Sequence, residues 1–434
     1  MPKRTKKLLV YLDQNFISEI AKRDVNTKVR PEFMDLYEIL KTGFLEEKLV
    51  VPQSHFHDVE TSLAPLLKEH IVEYQNYVGQ ISLNHQYHVQ NYQIGRSLQR
   101  FLGEDEDPLK IEIAFQDHPD QRVKQYNITV DSHLERQDLR TGRLRHAAEL
   151  ETLRKEIMEE GLSFAEQLER EFLDSERYYL KSALMNYGHL ATEQQLVDFG
   201  KSQDFRKTPI VSISARLYAA VLTERTRPIK KGDATDINIL STYLPYMDII
   251  ATDTFMATQL KTLRIDQEYG VAVYNAKTAS LRDLVTTLTE YVAANDRVNR
   301  PAISAFVLPT PSVKTDAFKV FYQLGMAATH GFRGGEYVEV YGFDDGRMPQ
   351  YELRQMPGRT LPFYGLQDVD PIKLPSGSTL EDVLKICRNH CKSTHFILID
   401  DYQELPKHFF HSVLLSIKAN RDVAHGYKFY PTKI

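Results

Sequence analysis

The amino-acid sequence predicts an α/β protein: a three-layer domain on a central parallel sheet, a long helical insertion carrying a β-hairpin, and a second α/β domain in the C-terminal third. Three observations predict this. Short apolar runs, each followed by helical spacing, recur at Leu8–Leu12, Leu49–Val51, Asp248–Thr252 and Val271–Tyr274. Between the second and third of these lies a long Glu- and Gln-rich stretch with no strand–helix alternation of that kind. After Asn299-Arg-Pro the alternation begins again. Parallel strands need crossover connections, and helices are the usual ones, which gives the layered reading.

Length and composition bound the answer. A chain of 434 residues has room for two or three domains and a large core. Apolar and charged fractions of 42% and 26% are ordinary for a globular protein, and no apolar run is long enough to span a bilayer. The basic start MPKRTKK is followed only by LLVYLD before polar residues return, so it does not read as a secretory signal. Two cysteines, Cys387 and Cys391, cannot make a disulfide framework and suit a reducing, cytoplasmic setting. A net charge of −5 excludes a uniformly basic surface, but a local basic patch is enough to bind nucleic acid.

In chain order, Leu8–Leu12 is a strand ending at Asp13, with a helix through about Ala21. Pro31, favoured in a first helical turn, opens a helix to about Glu46 with Phe33, Leu36, Tyr37 and Leu40 on one face. Leu49–Val51 is a strand running into Pro52-Gln53-Ser54 and a helix carrying His55, His57, Asp58 and Glu60. The insertion is predicted as helices over 65–101, 134–162, 164–187 and 192–204. Lys110–Phe115 and Val123–Val130 both alternate about an Asp117-His-Pro-Asp turn, the hairpin signature. Pro209–Glu224 is a helix, followed by the basic loop Arg225-Thr-Arg-Pro-Ile-Lys-Lys. A helix capped by Asp233 or Thr235 runs to Tyr243, where Pro245 stops it. The strand Asp248–Thr252, a helix over 255–263, the strand Val271–Tyr274 and a helix over 281–294 complete the first domain. Beyond it, strands are expected at 302–308, 336–341, 396–399 and 427–430, with helices at 314–328, 380–391 and 407–419.

Four acids fall at corresponding places in this pattern. Asp13 follows strand one, Glu60 lies on the helix after strand two, Asp236 opens a helix, and Asp253 follows strand three. The carboxyl ends of parallel strands share one edge, the edge at which open α/β sheets bind ligands. Converging carboxylates repel one another and, unless protonated, need a cation. Hard oxygen donors suit Mg²⁺ or Mn²⁺, and such a site is fitted to phosphodiester chemistry.

Leu8-Leu-Val-Tyr-Leu-Asp13-Gln-Asn15, Pro52-Gln-Ser54 with Glu60, Asp236-Ile-Asn-Ile-Leu, and Ile250-Ala-Thr252-Asp253 together resemble the PIN domain nuclease family. The resemblance covers roughly residues 5–65 and 207–295. It implies a discontinuous nuclease domain (1–65 with 207–298), an insertion (66–206) and a C-terminal domain (300–434) outside the resemblance. It also implies Asp13, Glu60, Asp236 and Asp253 as catalytic metal ligands, with Asn15, Ser54 and Thr252 orienting them. The implied activity is metal-dependent hydrolysis of RNA by an activated water, leaving a 5′-phosphate. An inactive scaffold binding RNA or protein, or a nuclease of structured DNA, is the alternative. A protein partner or self-association through the insertion or the C-terminal domain is a further expectation. The insertion of about 140 residues is far longer than in compact members of that family.

Simpler roles compete for each residue. An Asp after a strand is commonly a helix N-cap, and Asp233 competes with Asp236 for the same turn. Asp248 lies at the wrong end of its strand for metal and reads as a structural turn residue. His55 and His57 read as satisfied helix-start histidines. Arg225, Arg227, Lys230 and Lys231 form either a solvated loop or a phosphate-contacting track leading to the acids. Arg136, Arg140, Arg143 and Arg145 read as a solvated helix face. Cys387, His390, Cys391 and His395 are spaced suggestively for zinc but read as core plus surface. Phe396–Asp401 resembles a Walker B strand, yet no phosphate-binding Gly-x-x-x-x-Gly-Lys-Ser/Thr loop exists in the chain, and Gly200-Lys-Ser lacks the first glycine.

Overall fold

A computed structural model describes residues 5–295 apart from 26–27, 65, 79–80, 105–108, 121–135 and 188–189. Beyond 295 it describes 303–307, 338–344, 366–368, 372–373, 375, 378–391, 393, 395–399, 409, 413, 416, 423–424 and 427–431. The described residues fall into two compact units, one within Met1–Pro119 and Ile128–Asp296, the other within Asp120–Asn127 and Arg297–Ile434.

The first unit is built on a parallel sheet. Among the described residues its strands β1 (Leu8–Leu12), β2 (Leu49–Val50), β3 (Ile249–Thr252) and β4 (Ala272–Asn275) lie in the order β2-β1-β3-β4. Val10 pairs with Ile249 and Leu12 with Ala251. These four residues pack with Phe33, Leu36 and Leu40 of α2 (Pro31–Leu45) and with Leu281, Leu284 and Leu288 of α14 (Thr278–Ala294). Leu9, Tyr11 and Ile250 point the opposite way by strand periodicity and are buried as well. Burial on both faces is what the continuous apolar runs predict. Helix α1 (Gln14–Ala21) follows β1, and α3 (His55–Ser62) follows β2. Helix α10 (Pro209–Thr223) packs against both α11 (Asp233–Tyr243) and α12 (Thr254–Thr262). Asp248 is a structural residue, since its Oδ2 accepts the Leu9 N–H at 2.9 Å and so fixes the start of the β1–β3 pair.

The helices of the insertion belong to the same compact unit as the sheet, where α6 (Arg136–Glu160) and α7 (Phe164–Tyr187) both pack on α10. Its first helix is not continuous. It divides into α4 (Lys68–Val78) and α5 (Gln86–Phe101), with Ile81 and Leu83 buried between them. There the Gln53 N–H donates to the Ile81 carbonyl, and the Leu83 N–H to that of Gln53, so the chain extends beside Gln53 instead of coiling. The first arm of the expected hairpin is a 3₁₀ turn at Ile111–Ile113, with Phe115 bridged to Leu83. The Asn84 amide donates to the carbonyls of Ile113 and Phe115, taking the place of a strand partner. The second arm, 123–130, lies outside the described residues. The expected helix over 192–204 breaks after α8 (Glu193–Gly200), where Ser202 caps α9 (Gln203–Arg206). Gly232, and neither Asp233 nor Thr235, is the residue before α11. The short helix α13 (Ile265–Tyr269), entered and left through Arg264 and Gly270 at positive φ, was not anticipated.

In the second unit, described strands β5 (Ile303–Val307), β6 (Val338–Asp344), β7 (Leu366–Asp368), β9 (His395–Ile399), β10 (Val423–Ala424) and β11 (Tyr427–Pro431) run in the order β10-β11-β9-β5-β6-β7. β8 (Ile372–Lys373) also pairs with β6. The pairings around β5 and β6 are parallel, while β11 and β10 are antiparallel additions. Helix α15 (Leu380–His390) packs Val383 and Cys387 against Phe306, Phe396 and Leu398. The helix expected over 314–328, and most of that over 407–419, lie outside the described residues. No helix among the described residues is long and apolar enough to cross a membrane.

Candidate functional site

Because β1 and β3 are adjacent and parallel, their carboxyl ends emerge together. The Asp13 N–H donates to the Ala251 carbonyl at 2.9 Å, carrying the ladder one residue past β1 and setting Asp13 beside the Thr252–Asp253 end of β3. Although Asp13 occupies the N-cap position of α1, its side chain makes no capping bond, so capping does not account for the carboxylate. The Asn15 amide donates to its Oδ2 at 3.3 Å.

Asp253 divides its two oxygens. Oδ1 caps α12 by accepting the Met256 N–H at 2.7 Å, while Oδ2 lies 3.9 Å from the Arg227 guanidinium. Asp236 stands in the first turn of α11, one helical turn after Asp233. One carboxylate oxygen from each of Asp233, Asp236 and Asp253 can be chosen so that all lie within 4.8 Å of one another.

Electrostatics extend this group to Asp13 and Glu60. Burial is the first cause of the rise in the Asp13 pKa from 3.8 to about 7; Glu60 and Asp253 push it further, against hydrogen bonds from the Gln14 N–H and Asn15. Asp236 is likewise pushed well above the carboxylate range by burial, then by Asp13, Glu60, Asp253 and Asp233. The four acids expected to converge therefore act on one another, as carboxylates crowded out of water must.

Asp233, which competes with Asp236 for the same turn, is part of the cluster but already has a cation. Only 1% of its side chain is exposed, and both oxygens accept from Arg227, at 2.6 and 2.8 Å. The Lys230 N–H donates to it as well, at 2.8 Å. Arg227 in turn lies 4.0 Å over the Phe255 ring. The four basic loop residues thus separate into two kinds. Arg225, Lys230 and Lys231 are exposed, whereas Arg227 turns inward to the acids.

Glu60 lies on α3 and is half-buried, with Arg143 of α6 at 3.0 Å. Burial raises its pKa more than Arg143 lowers it. Arg140, one turn before Arg143, donates to the Leu63 carbonyl at 3.1 Å. Arg143 is packed against α3, contrary to the solvated-face expectation; Arg140 and Arg145 are exposed, and the side chain of Arg136 lies outside the described residues.

Beneath the acids is a neutral polar layer. The His57 ring accepts the Ser54 N–H at Nδ1 (3.1 Å) and meets the Leu12 carbonyl through Nε2 (2.8 Å). A peptide N–H only donates and a carbonyl only accepts, so the ring is the neutral Nε2–H tautomer. Burial lowers its pKa to about 4, consistent with that form. His57 also stacks on Tyr11, whose hydroxyl is 3.3 Å from Ser54 Oγ. His57 therefore ties the end of β1 to α3, and Ser54 is the cap of α3 whose contacts are with Tyr11 and His57. Thr252, buried, ends β3 beside Asn275. In the second unit, Cys387 is core and the Cys391 thiol meets Ser393, and no metal-ligating group of three occurs there among the described residues. No family model, curated protein or solved structure matches the chain.

Proposed function

We propose that the cleft is the active site of a PIN-like metal-dependent nuclease that hydrolyses phosphodiester bonds, with RNA the preferred substrate class. The observation that carries this is the crowding of Asp13, Asp236 and Glu60, whose burial resists their ionisation, beside Asp253, which offers an oxygen within 4.8 Å of one from Asp236. Five carboxylates face two guanidinium groups, leaving a deficit of positive charge that a divalent cation would fill. The donors are hard carboxylate oxygens, from buried Asp13 and half-buried Asp236 and Asp253, which fits Mg²⁺ or Mn²⁺.

Asp13, Asp236 and Asp253 would hold the cation, with Glu60 as the fourth acid and Asp233 holding Arg227. Bound there, the cation supplies charge neutralisation at phosphate and a lowered pKa for water. Asn15 fixes the Asp13 carboxylate, and Asp253 is held through the oxygen that caps α12. Arg227, clamped by Asp233 against Phe255, offers a positioned guanidinium at the side of the cleft toward Asp253. Exposed Arg225, Lys230 and Lys231 provide phosphate contacts that position without reading sequence. RNA is placed before DNA on the family resemblance alone.

The test uses end-labelled single-stranded RNA, duplex RNA, single-stranded DNA and flapped DNA with Mn²⁺, Mg²⁺ or EDTA. Cleavage that needs the metal and is lost in Asp13→Asn and Asp236→Asn is expected. A scaffold that only binds is the second reading, favoured by the two arginines already paired to Glu60 and Asp233. Metal-independent binding with no cleavage of any of the four substrates decides for it.

A further inference from the structure

We propose that Arg143 of the insertion is the resident counter-ion of the acidic cleft: it holds Glu60 in the cation-free protein and releases it when a divalent cation binds, coupling cation binding to the seating of α6. The inference rests on the metal-centre reading.

Glu60 is held on the Asp13 side of the site by its neighbours on α3: the Gln14 amide donates to Thr61 Oγ1 at 3.1 Å, and His57 meets the Leu12 carbonyl at 2.8 Å. The Glu60 side chain is 18% exposed, and so is that of Arg143, 3.0 Å away. An ion pair there removes one unit of negative charge from the cleft. A divalent cation drawn in by Asp236 and Asp253 repels the guanidinium and competes with it for the same oxygens.

Helix α6 is built to respond unevenly. Its C-terminal half is anchored: Leu150 and Ile157 pack with Leu222, and Arg154 donates to the carbonyls of Glu224 and Arg227. Glu151 accepts the Ile229 N–H at 3.3 Å, fastening the loop that carries Arg227. The N-terminal half is different, because Thr141, Leu144, Arg145 and His146 are all exposed. Arg140 and Arg143 connect that half to α3. Arg143 and Arg154 are separated by roughly 16 Å along the axis at 1.5 Å per residue, so the first turns can shift while the anchor stays. Loss of the Glu60 contact leaves Arg140 as the remaining tie described between that half and α3.

The test is Mn²⁺ titration calorimetry on the full chain, with Arg143→Gln, Arg143→Lys and Asp236→Asn. Arg143→Gln, which removes the charge and leaves a shorter polar side chain, should bind Mn²⁺ about 3- to 10-fold tighter than wild type. Arg143→Lys should stay within about 2-fold, and Asp236→Asn should lose binding. Unchanged or weaker binding by Arg143→Gln, with Asp236→Asn still deficient, overturns the counter-ion role and leaves the metal centre standing. A wild-type chain that binds no Mn²⁺ overturns both. Amide hydrogen exchange on the wild type gives a second readout that does not depend on a variant folding. Exchange over residues 139–147 should quicken on Mn²⁺ addition, and an unchanged or slowed rate overturns the coupling.

Discussion

Replacing Asp13 by Asn removes one negative charge from the most crowded part of the cleft while keeping the side chain nearly the same size. The folded protein holds the Asp13 proton more tightly than the unfolded chain does, with a pKa of about 7 against 3.8. Between those values the folded state binds more protons, so this group's contribution to stability is full below about pH 4 and is lost as pH rises through 7. At about 1.36 kcal/mol per pKa unit, the ionised Asp13 costs the metal-free fold up to ~4 kcal/mol at pH 8. About half of that loss falls between pH 5 and pH 7. An amide still has to be desolvated, so Asp13→Asn should recover part of the cost, about 1–3 kcal/mol at pH 8 in EDTA, and less at pH 5. His57 acts in the opposite sense. Its depressed pKa, about 4, gives stability that is present above 6.5 and lost as pH falls. The difference between wild type and Asp13→Asn at each pH cancels that contribution. The chain contains no tryptophan, so urea unfolding is best followed by circular dichroism at about 222 nm, which reports the helices of the first unit. Mn²⁺ at pH 8 should stabilise the wild type and leave the variant largely unmoved. A variant less stable than wild type at every pH, with a pH-independent difference, would refute the crowding argument and return Asp13 to helix capping.

Further outcomes follow from the same contacts. Arg227→Ala leaves Asp233 buried without its cation and should destabilise the fold by about 2–4 kcal/mol, measured by the same unfolding experiment. Arg225→Ala with Lys230→Ala should change stability by less than about 0.5 kcal/mol, but should flatten the salt dependence of RNA binding by about one slope unit per lost contact. An unchanged slope sinks the phosphate-track reading of those two residues. His57→Ala breaks two hydrogen bonds and the stack on Tyr11, and should cost about 2–3 kcal/mol. If His57 were a metal ligand instead, the variant would lose Mn²⁺ affinity with little change in stability in EDTA.

Local chemistry was enough to read most elements of the first unit. Apolar runs such as Leu8–Leu12 and Ile249–Thr252 are short, β-branched in part and bounded by polar residues, so their pattern has one reading. Pro31 and Pro209 mark helix starts because a proline fits the first turn and no later one. The juxtaposition of Asp13 and Asp253 was legible because strand ends in a parallel sheet share an edge whatever the packing around them, whereas Asp236 comes from a helix start. The break at Ile81–Leu83 was not legible, since those residues suit a helix and are extended only because Gln53, far back in the chain, offers backbone partners. Asn84 decided the fate of the expected hairpin arm in the same long-range way.

The basic residues show the same division. Arg140, Arg143 and Arg227 lie in charged stretches that, read along the chain, look like solvated surface. Their partners are Leu63, Glu60 and Asp233, and for the first two the partner sits some eighty residues away. A carboxylate advertises its need for a cation, but which guanidinium answers it depends on how α6 and the loop before α11 pack. The acids could be chosen from residue type and position within an element. Their charge balance was set by contacts between elements, because Coulomb energy depends on distance in space and on how much water the packing leaves between the charges.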